Sequence, residues 1–391
     1  MKNFCYVKLN DVCELITDGT HQTPTYSDNG YIFLSSKNVT NGIIDWENIK
    51  YIPEELHKKL YERISPKIGD ILLAKNGTTG IAALVDKNII FDIYVSLALL
   101  RPKKNILPEY LLWAINNPYT KRKFQASLKG IGVPNLHLSY IKKTEIKFYD
   151  MPQQIYISNL MKKCKRIIDL KKQQLSELDK LVKFQFLKIF GDPILNEKNW
   201  EIVTCQKISF KIGSGSTPLG GEKNYKSEGI SFIRSLNIYN NKFITDGLVF
   251  IEEIQAEKLK NVNVEKDDIL LNITGASVAR TCIVPVDVLP ARVNQHVSII
   301  RCNKEIIEPV FLCYQLTNAQ YQLFLLKIAK NNGATREALT KEQLENLKII
   351  LPPIELQNKF AEFVKQVDKS KVIFEKALKI HNFRLNYFNV L

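Results

Sequence analysis

The chain contains the stretch Gly30-Tyr31-Ile32-Phe33-Leu34-Ser35-Ser36-Lys37-Asn38-Val39 and, in its second half, the related stretch Gly229-Ile230-Ser231-Phe232-Ile233-Arg234-Ser235-Leu236-Asn237-Ile238. A short apolar run between a glycine and an asparagine turn is typical of a β-strand. The same strand and turn therefore occur twice in one polypeptide, which makes an internal repeat the first hypothesis about the fold.

Further segments repeat in the same order, at an offset of roughly 200 residues. The pairs are Ile16–Pro24 with Ile212–Pro218, Gly69–Leu73 with Asp267–Leu271, Asn76–Gly80 with Thr274–Ser277, and Val95–Arg101 with Gln295–Arg301. Several matches in one order are hard to obtain by chance. The alternative, a duplication kept only for stability, is disfavoured because the shared positions include polar turns rather than core positions alone.

Each copy combines short β-rich runs with helical stretches and so predicts a mixed α/β unit of roughly 150 residues. A long helical pattern follows each copy. Apolar residues recur with a period near 3.5, which is typical of a coiled coil. The seam positions are Met161, Cys164, Ile168, Leu175, Leu178, Val182 and Ile189, and then Phe360, Val364, Val367, Phe374, Leu378, Leu385 and Phe388.

The sequence therefore predicts two homologous units at 1–150 and 192–351, and long helices at 151–191 and 352–391. Two long helices without another partner are expected to pair as an antiparallel coiled coil, which gives the molecule pseudo-twofold symmetry. Lys171 and Lys371 interrupt the seam. Either they fix the register of the helices or the register is assigned one step off.

The composition bounds the function. The 391 residues carry 55 Lys+Arg against 40 Asp+Glu, a formal net charge of +15. This surplus indicates a polyanionic partner, most simply nucleic acid. No apolar run reaches the roughly 18 residues of a membrane-spanning helix. The seven cysteines form no Cys-x-x-Cys pair, so we expect reduced thiols, a cytoplasmic protein and no metal site.

Two near-motifs for catalysis are weak. Asn116-Asn117-Pro118-Tyr119 approaches an amino-methyltransferase motif, but no glycine-rich cofactor loop precedes it, so a helix boundary is the better interpretation. Asp70 and Lys75 with Glu145-Ile146-Lys147 hint at a metal-dependent nuclease, but the second copy lacks the Glu-x-Lys. We therefore expect no catalytic residue and no cofactor in this chain.

The functional residues are then expected to be DNA-reading side chains on loops. Asn and Gln suit adenine edges, whereas Arg and Lys suit guanine edges and phosphates. The candidates are Thr20, His21, Lys37, Lys75, Asn76, Thr78, Ser214, Ser216, Thr217, Arg234, Asn237, Asn272, Thr274, Arg280 and Arg336.

The twinned plan closely resembles the specificity subunit of type I restriction-modification systems. The residues that carry the resemblance are Val7–Cys13, Asp18–Pro24, Gly69–Leu72 and Pro352–Gln357 before a long helix. One difference stands out: the first junction, Asp150–Gln154, is shorter than the second, Leu351–Gln357.

The resemblance implies two target-recognition domains separated by an antiparallel coiled coil, each reading one half of a bipartite site in double-stranded DNA. It implies a non-catalytic subunit that recruits two methyltransferase subunits, which use S-adenosylmethionine to methylate adenine N6. In a full complex it implies two restriction subunits that use ATP and magnesium. The alternatives are a self-contained nuclease or methyltransferase, and a coiled-coil adaptor that does not bind DNA.

Overall fold

The computed structural model describes residues 4–40, 42–77, 79–128, 135–218, 220–330 and 337–388 of the chain, with side chains up to residue 379. The chain forms two compact units. Unit 1 comprises Met1–Lys172 and Glu375–Leu391, and unit 2 comprises Gln173–Phe374. This division cuts both long helices, so the four predicted segment boundaries stay a prediction.

Unit 1 is a mixed α/β unit, as predicted. Its elements are β1 (Cys5–Lys8), α1 (Leu9–Val12), β2 (Cys13–Asp18), β3 (Tyr31–Leu34), β4 (Lys50–Ile52), α2 (Glu54–Arg63), β5 (Ile71–Ala74), β6 (Ala82–Leu84), β7 (Phe91–Ile93), β8 (Leu97–Pro102), α3 (Pro108–Asn116), α4 (Pro118–Ala126), α5 (Leu138–Lys143), β9 (Glu145–Phe148) and the long helix α6 (Met151–Phe190), which continues into unit 2.

Unit 2 repeats this order. Its elements are β10 (Glu201–Thr204), β11 (Ser209–Ser214), β12 (Ile230–Ile233), β13 (Ile238–Tyr239), β14 (Lys242–Phe243), β15 (Val249–Ile251), α7 (Glu253–Lys258), β16 (Asn263–Val264), β17 (Ile269–Asn272), β18 (Thr281–Ile283), β19 (Ala291–Val293), β20 (Val297–Cys302), α8 (Pro309–Leu316), α9 (Ala319–Lys330), α10 (Lys341–Glu345), β21 (Lys348–Leu351) and the long helix α11 (Ile354–Phe388).

The sheets of the two units share a common topology, to which unit 2 adds strand β16 in its second sheet and the separate pair β13/β14. The antiparallel sheet β2-β8-β5-β6 of unit 1 corresponds to β11-β20-β17-β18 of unit 2. A second sheet contains one parallel pair in each unit, β3 with β7 and β12 with β19. The outer pairs β1/β9 and β10/β21 also match. The predicted duplication is therefore confirmed at the level of strand order and register.

Two equivalent glycines recur in the repeat because the backbone at these positions leaves no room for a side chain. Gly19 follows β2 and Gly215 follows β11. A Cβ atom at either position would overlap the carbonyl oxygen of Ile93 or Val293, respectively. The next residue donates its N–H to that same carbonyl, over 3.1 Å in unit 1 and 3.3 Å in unit 2. Only glycine allows the two backbones to approach this closely.

The recurring aspartates and arginines form a buried pair in each unit. The Asp70 carboxylate accepts from Arg101 Nε at 2.9 Å and from Nη2 at 2.7 Å. Asp268 and Arg301 repeat this arrangement at 2.9 and 2.8 Å. Both aspartates are buried. Such bidentate pairs have fixed geometry, which explains why the Asp-Ile-Leu-Leu and Arg positions recur in the sequence.

A buried glutamine fixes the first turn of α6 to unit 1. Gln154 Oε1 accepts from the backbone N–H of Leu107 at 2.9 Å, and Gln154 Nε2 donates to the carbonyls of Tyr149 at 2.8 Å and Asn105 at 3.1 Å. All three partners are backbone groups of the segments that flank the outer strand and α3. The side chain is fully buried and hydrogen-bonded at both its oxygen and its nitrogen.

Gln357 makes the same contacts at the start of α11. Its Oε1 accepts from the N–H of Glu308 at 2.9 Å, and its Nε2 donates to the carbonyls of Pro352 at 2.7 Å and Ile306 at 3.4 Å. The two long helices are thus attached to their units by one shared hydrogen-bond pattern.

This pattern corrects the expectation that the first junction is shorter. The backbone N–H of Gln154 donates to Asp150, and that of Gln357 donates to Pro353. Asp150 therefore corresponds to Pro353, and the two junctions have equal length. The sequence comparison misled because it aligned Met151-Pro152 with Pro352-Pro353, which is two positions out of register.

Within unit 2, the end of α6 runs antiparallel to the start of α11. The rings of Phe186 and Phe360 are 5.6 Å apart, and Lys371 Nζ lies 2.8 Å from Asp179 Oδ1. The buried positions of α6 here are Val182, Phe186 and Phe190, and the predicted seam residues Leu178 and Ile189 pack against the same core while partly buried. The predicted seam is therefore right at Leu178, Val182 and Ile189, and it also includes Phe186 and Phe190. Lys371 stands in the seam as an ion-paired residue.

No helix in the described part of the chain is long and apolar enough to cross a membrane.

The glutamine contacts generate a stability prediction. Gln357→Ala leaves a buried N–H and two buried carbonyls without partners, which we expect to lower the free energy of unfolding by at least about 2 kcal/mol. Urea-induced unfolding measures this change. The matched control is Gln366→Ala, an exposed glutamine of the same helix, which should be nearly neutral. Equal stability of the two variants would show that the contacts do not hold the helix.

Candidate nucleic-acid interface

In unit 1 the structure brings several predicted residues to one open groove of about 620 Å³. Asp18 and His21 line it from the loop after β2, and Lys75 and Asn76 line it from the end of β5. His137 contributes from the start of α5. The polar loops that the sequence placed far apart therefore meet at one end of the antiparallel sheet.

Lys75 is the first correction to the predicted site. Its ammonium forms an ion pair with the carboxylate of Asp18, and only 4% of Lys75 is exposed. Asp18 also lies 3.4 Å from Nε2 of the exposed His21, measured from Oδ1. The Lys75 ammonium neutralises the buried Asp18 carboxylate and so stabilises the loop that carries His21. It is therefore not available to DNA.

Two asparagines of the groove have unused hydrogen-bonding capacity. Among the described residues, Asn76 Oδ1 and Asn135 Oδ1 are buried and have no hydrogen-bond partner. Buried polar atoms are normally paired, so a hydrogen-bond donor on a ligand would satisfy these two amide oxygens. Asn135 and His137 were missed by the sequence reasoning, because they carry no motif and lie far along the chain from Asp18.

Unit 2 has different side chains at the equivalent positions. The backbone N–H of Lys75 donates to Ser96 in unit 1, and that of Ile273 donates to His296 in unit 2. Lys75 therefore corresponds to Ile273, and Asn76 to Thr274. In the β-sheet register Asp18 corresponds to Ser214. The ion pair of unit 1 is thus replaced by a hydroxyl and an aliphatic side chain.

A chain of hydrogen-bonded polar groups occupies this region in unit 2. Thr217 Oγ1 donates to Gln295 Oε1, and Thr274 Oγ1 lies 2.6 Å from His296 Nδ1. Gln295 Nε2 lies 3.2 Å from His296 Nε2. The predicted residues Thr217 and Thr274 are therefore linked through Gln295 and His296, which the sequence reasoning did not single out as DNA-reading residues.

Asn237 and Asn272 are the second correction. Asn237 Oδ1 accepts from Arg234 N at 3.0 Å and its Nδ2 donates to Ile244 O at 2.9 Å. Asn272 Nδ2 donates to Ser235 O at 2.9 Å. Both residues are fully buried. Both carboxamides bind backbone groups of turns and are closed off from solvent, so they shape the fold, although Asn272 Oδ1 has no hydrogen-bond partner among the described residues.

The recurrence of Asn38 supports this interpretation. Asn38 Oδ1 accepts from Ser35 N at 3.0 Å and Nδ2 donates to Asn48 O at 2.9 Å, which repeats the contacts of Asn237. The same turn needs the same carboxamide in both copies.

Two arginines of unit 2 lie on tyrosine rings. The guanidinium carbon of Arg234 is 5.2 Å from the ring centroid of Tyr225, and that of Arg280 is 4.5 Å from the ring centroid of Tyr239. Both arginines are half-buried. A stacked guanidinium is oriented while it keeps donors for a phosphate or a guanine edge.

The other predicted residues vary in exposure. Lys37, Ser214 and Ser216 are exposed, and Thr20 is half-buried. Thr78 and Arg336 lie outside the described residues. For the exposed and half-buried residues, the assignment to DNA reading stays a prediction.

The two near-motifs for catalysis have structural explanations. Asp70 is engaged by Arg101 and by the backbone N–H of Lys67 at 2.8 Å. Asn117 Oδ1 accepts from Tyr119 N at 2.8 Å and caps α4, which is the helix boundary that the sequence favoured. Over the described ranges, no group of three or more His, Cys, Asp or Glu residues could hold a metal ion.

Comparison with known proteins agrees with this architecture. The family model of the type I restriction modification DNA specificity domain matches residues 1–180 and 197–381. This match covers both copies of the duplicated α/β unit and most of both long helices. The chain belongs to the family of type I restriction-modification DNA specificity domains, and its role is in DNA sequence specificity.

Curated relatives and solved structures extend over nearly the whole chain. The putative type I restriction enzyme MjaX specificity subunit of Methanocaldococcus jannaschii is 24% identical over 400 residues, covering 95% of this chain and 90% of the relative. The StySPI specificity subunit of Salmonella potsdam is 21% identical over 374 residues, covering 90% and 78%.

The fold is similar to that of the type I restriction-modification S subunit from M. genitalium, with a TM-score of 0.57, 16% identity and coverage of 99% and 95%. A chain from a structure on complex assembly and conformational transition of the type I R-M system gives a TM-score of 0.58, 17% identity and coverage of 100% and 96%. The expected fold class and family are confirmed.

The buried ion pair of unit 1 generates the second prediction. Lys75→Ile leaves the Asp18 carboxylate buried without its cation, and we expect a loss of about 3–5 kcal/mol in the free energy of unfolding. The double variant Asp18→Ser with Lys75→Ile carries the residues of unit 2, so it should recover most of this loss. Urea-induced unfolding is the measurement. A double variant no more stable than Lys75→Ile would contradict the structural role.

Proposed function

We propose that this chain is a non-catalytic specificity subunit in which each unit reads one half of a bipartite site in double-stranded DNA. The observation that carries this proposal is the contrast between the groove of unit 1 and the equivalent region of unit 2. The backbones share strand order and register, whereas Asp18, Lys75 and Asn76 in unit 1 stand where Ser214, Ile273 and Thr274 stand in unit 2. Different side chains on one scaffold suit two different half-sites.

The groove of unit 1 has the chemistry of a base reader. His21 is exposed at its edge, and within the described part of the chain the amide oxygens of Asn76 and Asn135 are unpaired. Amide and imidazole groups can accept and donate in the pattern that the major groove presents. In unit 2, the hydroxyls of Thr217 and Thr274 and the side chain of Gln295 supply a different pattern.

The net charge of +15 supports binding to the phosphate backbone around these grooves. Phosphate contacts position a protein on the duplex, and base contacts give the specificity. They also make affinity fall steeply with salt, because bound counterions are released. A coiled-coil adaptor without DNA binding would show no such dependence.

The partners follow from the family. We infer that two methyltransferase subunits dock on the long helices, and that restriction subunits join where the system has them. On α6, the side chains of Leu181, Phe184 and Leu187 are all exposed, Phe184 to 62%, and their spacing of three places them near one another on the helix. In this proposal S-adenosylmethionine belongs to the methyltransferase partner, and ATP and magnesium belong to the restriction partner.

Selection from a duplex library tests the division of labour between the units. The chain is bound together with its methyltransferase subunit, and the wild type should select a two-part motif with an unspecified spacer. His21→Ala should relax one half of the motif and Thr217→Ala the other half. Each lost base contact should cost about 1–3 kcal/mol, which is roughly 5- to 150-fold in discrimination.

The helix variant Gln366→Ala should leave both halves unchanged and serves as the control. If either loop variant relaxes both halves equally, or if the wild type selects no motif at any salt concentration, the proposed function is wrong.

A further inference from the structure

Unit 1 contains a second cavity that shares no lining residue with the groove described above. It has a volume of about 240 Å³. Tyr6 from β1 and Lys147 from β9 are cross-strand partners in its wall. Trp113 of α3 and Tyr119 and Arg122 of α4 complete the part of the lining that matters here.

Aromatic rings and cations alternate around this cavity. The ring centroids of Tyr6 and Tyr119 lie 6.4 Å apart at an interplanar angle of 42°. Lys123 Nζ is 4.6 Å from the Tyr119 centroid and 5.8 Å from that of Tyr6. Both tyrosines are exposed by more than two fifths, so a flat ligand can reach the parts of the rings that Lys123 does not cover. Exposed aromatic faces with basic neighbours are typical of surfaces that stack nucleic-acid bases.

The cavity also contains an unsatisfied donor. Trp113 Nε1 is buried and has no hydrogen-bond partner among the described residues. Indole nitrogen can only donate, so the group that would satisfy it is an acceptor on a ligand, such as a phosphate oxygen or a base carbonyl.

Basic side chains meet at this cavity, and one of them is partly desolvated. Burial lowers the pKa of the Lys147 ammonium, and Arg122 is exposed beside it in the same lining. A cation held in a partly desolvated wall is stabilised when an anion binds next to it.

The twin unit shows that the fold does not require these residues. Tyr6 and Lys147 correspond in sheet register to Ile202 and Ile350. Asn117 and Asn318 cap equivalent helices, so Tyr119 corresponds to Gln320 and Arg122 to Leu323. Unit 2 keeps the backbone and has none of this chemistry at those four positions. The shared backbone therefore forms without these aromatic and basic residues, which are particular to unit 1.

We propose that this cavity binds one nucleotide, with the base against Tyr6 and Tyr119 and the phosphate beside Arg122 and Lys147. Its volume is just below the roughly 300–1,000 Å³ of sites for drug-sized ligands, which suits a single nucleotide. The nucleotide can be free in solution or belong to a DNA strand. Both sources present a flat base and a phosphate to the same wall.

Calorimetric titration of the full chain with separate probes tests this site. The probes are AMP, ATP, adenosine, inorganic phosphate and a short single-stranded oligothymidylate. Saturable binding of a mononucleotide, at least 10-fold tighter than adenosine or phosphate alone, indicates a free nucleotide. Saturable binding of the oligonucleotide without mononucleotide binding indicates a strand. Either result supports the site if the variants below abolish it, and no saturable binding of any nucleotide probe overturns the proposal.

The variants take their residues from unit 2. Tyr119→Gln, and Arg122→Leu combined with Lys147→Ile, should each weaken nucleotide binding at least 10-fold. The matched control is Gln320→Ala in unit 2, which should bind like the wild type. Thermal melting checks that the variants fold, and duplex-library selection should return the wild-type motif, because the base-reading grooves are intact. Unchanged nucleotide binding in both pocket variants would contradict the assignment, whatever the outcome for sequence specificity.

Discussion

One buried glutamine at the start of each long helix is the interaction on which the architecture depends. Gln154 and Gln357 both accept from a backbone N–H and donate to two backbone carbonyls, all with the same geometry. An unpaired carboxamide inside the protein is costly, so these hydrogen bonds hold the start of each helix at a defined position on its unit. Because α6 leaves unit 1 and continues into unit 2, this attachment makes the junction of helix and recognition unit a repeated, defined structure.

Much of the fold could be predicted because the repeat preserves residues that the backbone requires. Gly19 and Gly215 allow a close backbone approach, the buried Asp70 and Asp268 each bind an arginine, and Asn38 and Asn237 close the same turn. These requirements are local in sequence or periodic. The junction at Gln154 was misaligned because helix starts tolerate proline at several positions, so proline was a poor marker of register.

The candidate site was harder to predict, for a related reason. Sequence alone does not distinguish a structural from a functional role for a polar residue that recurs in both copies, such as Asn237. The same holds for a polar residue at the end of a strand, such as Lys75 or Asn272. The structure shows that these three are buried and engaged. The residues that distinguish the two grooves, among them His21 and Gln295, come together only in the folded unit. In this duplicated protein the polar residues that both copies share shape the scaffold, and the accessible residues that differ between the copies, such as His21 and Thr217, are the ones proposed to read DNA.

The central claim is that two matching scaffolds read two different half-sites with independent sets of side chains. It is tested most directly by giving the groove of unit 1 the residues of unit 2: Asp18→Ser, His21→Thr, Lys75→Ile and Asn76→Thr together. The motif selected from a duplex library, with the methyltransferase subunit present, is then compared with that of the wild type. The half-site read by unit 1 should change while the other half-site stays the same. A motif that is unchanged, or one altered in the other half, would contradict the claim.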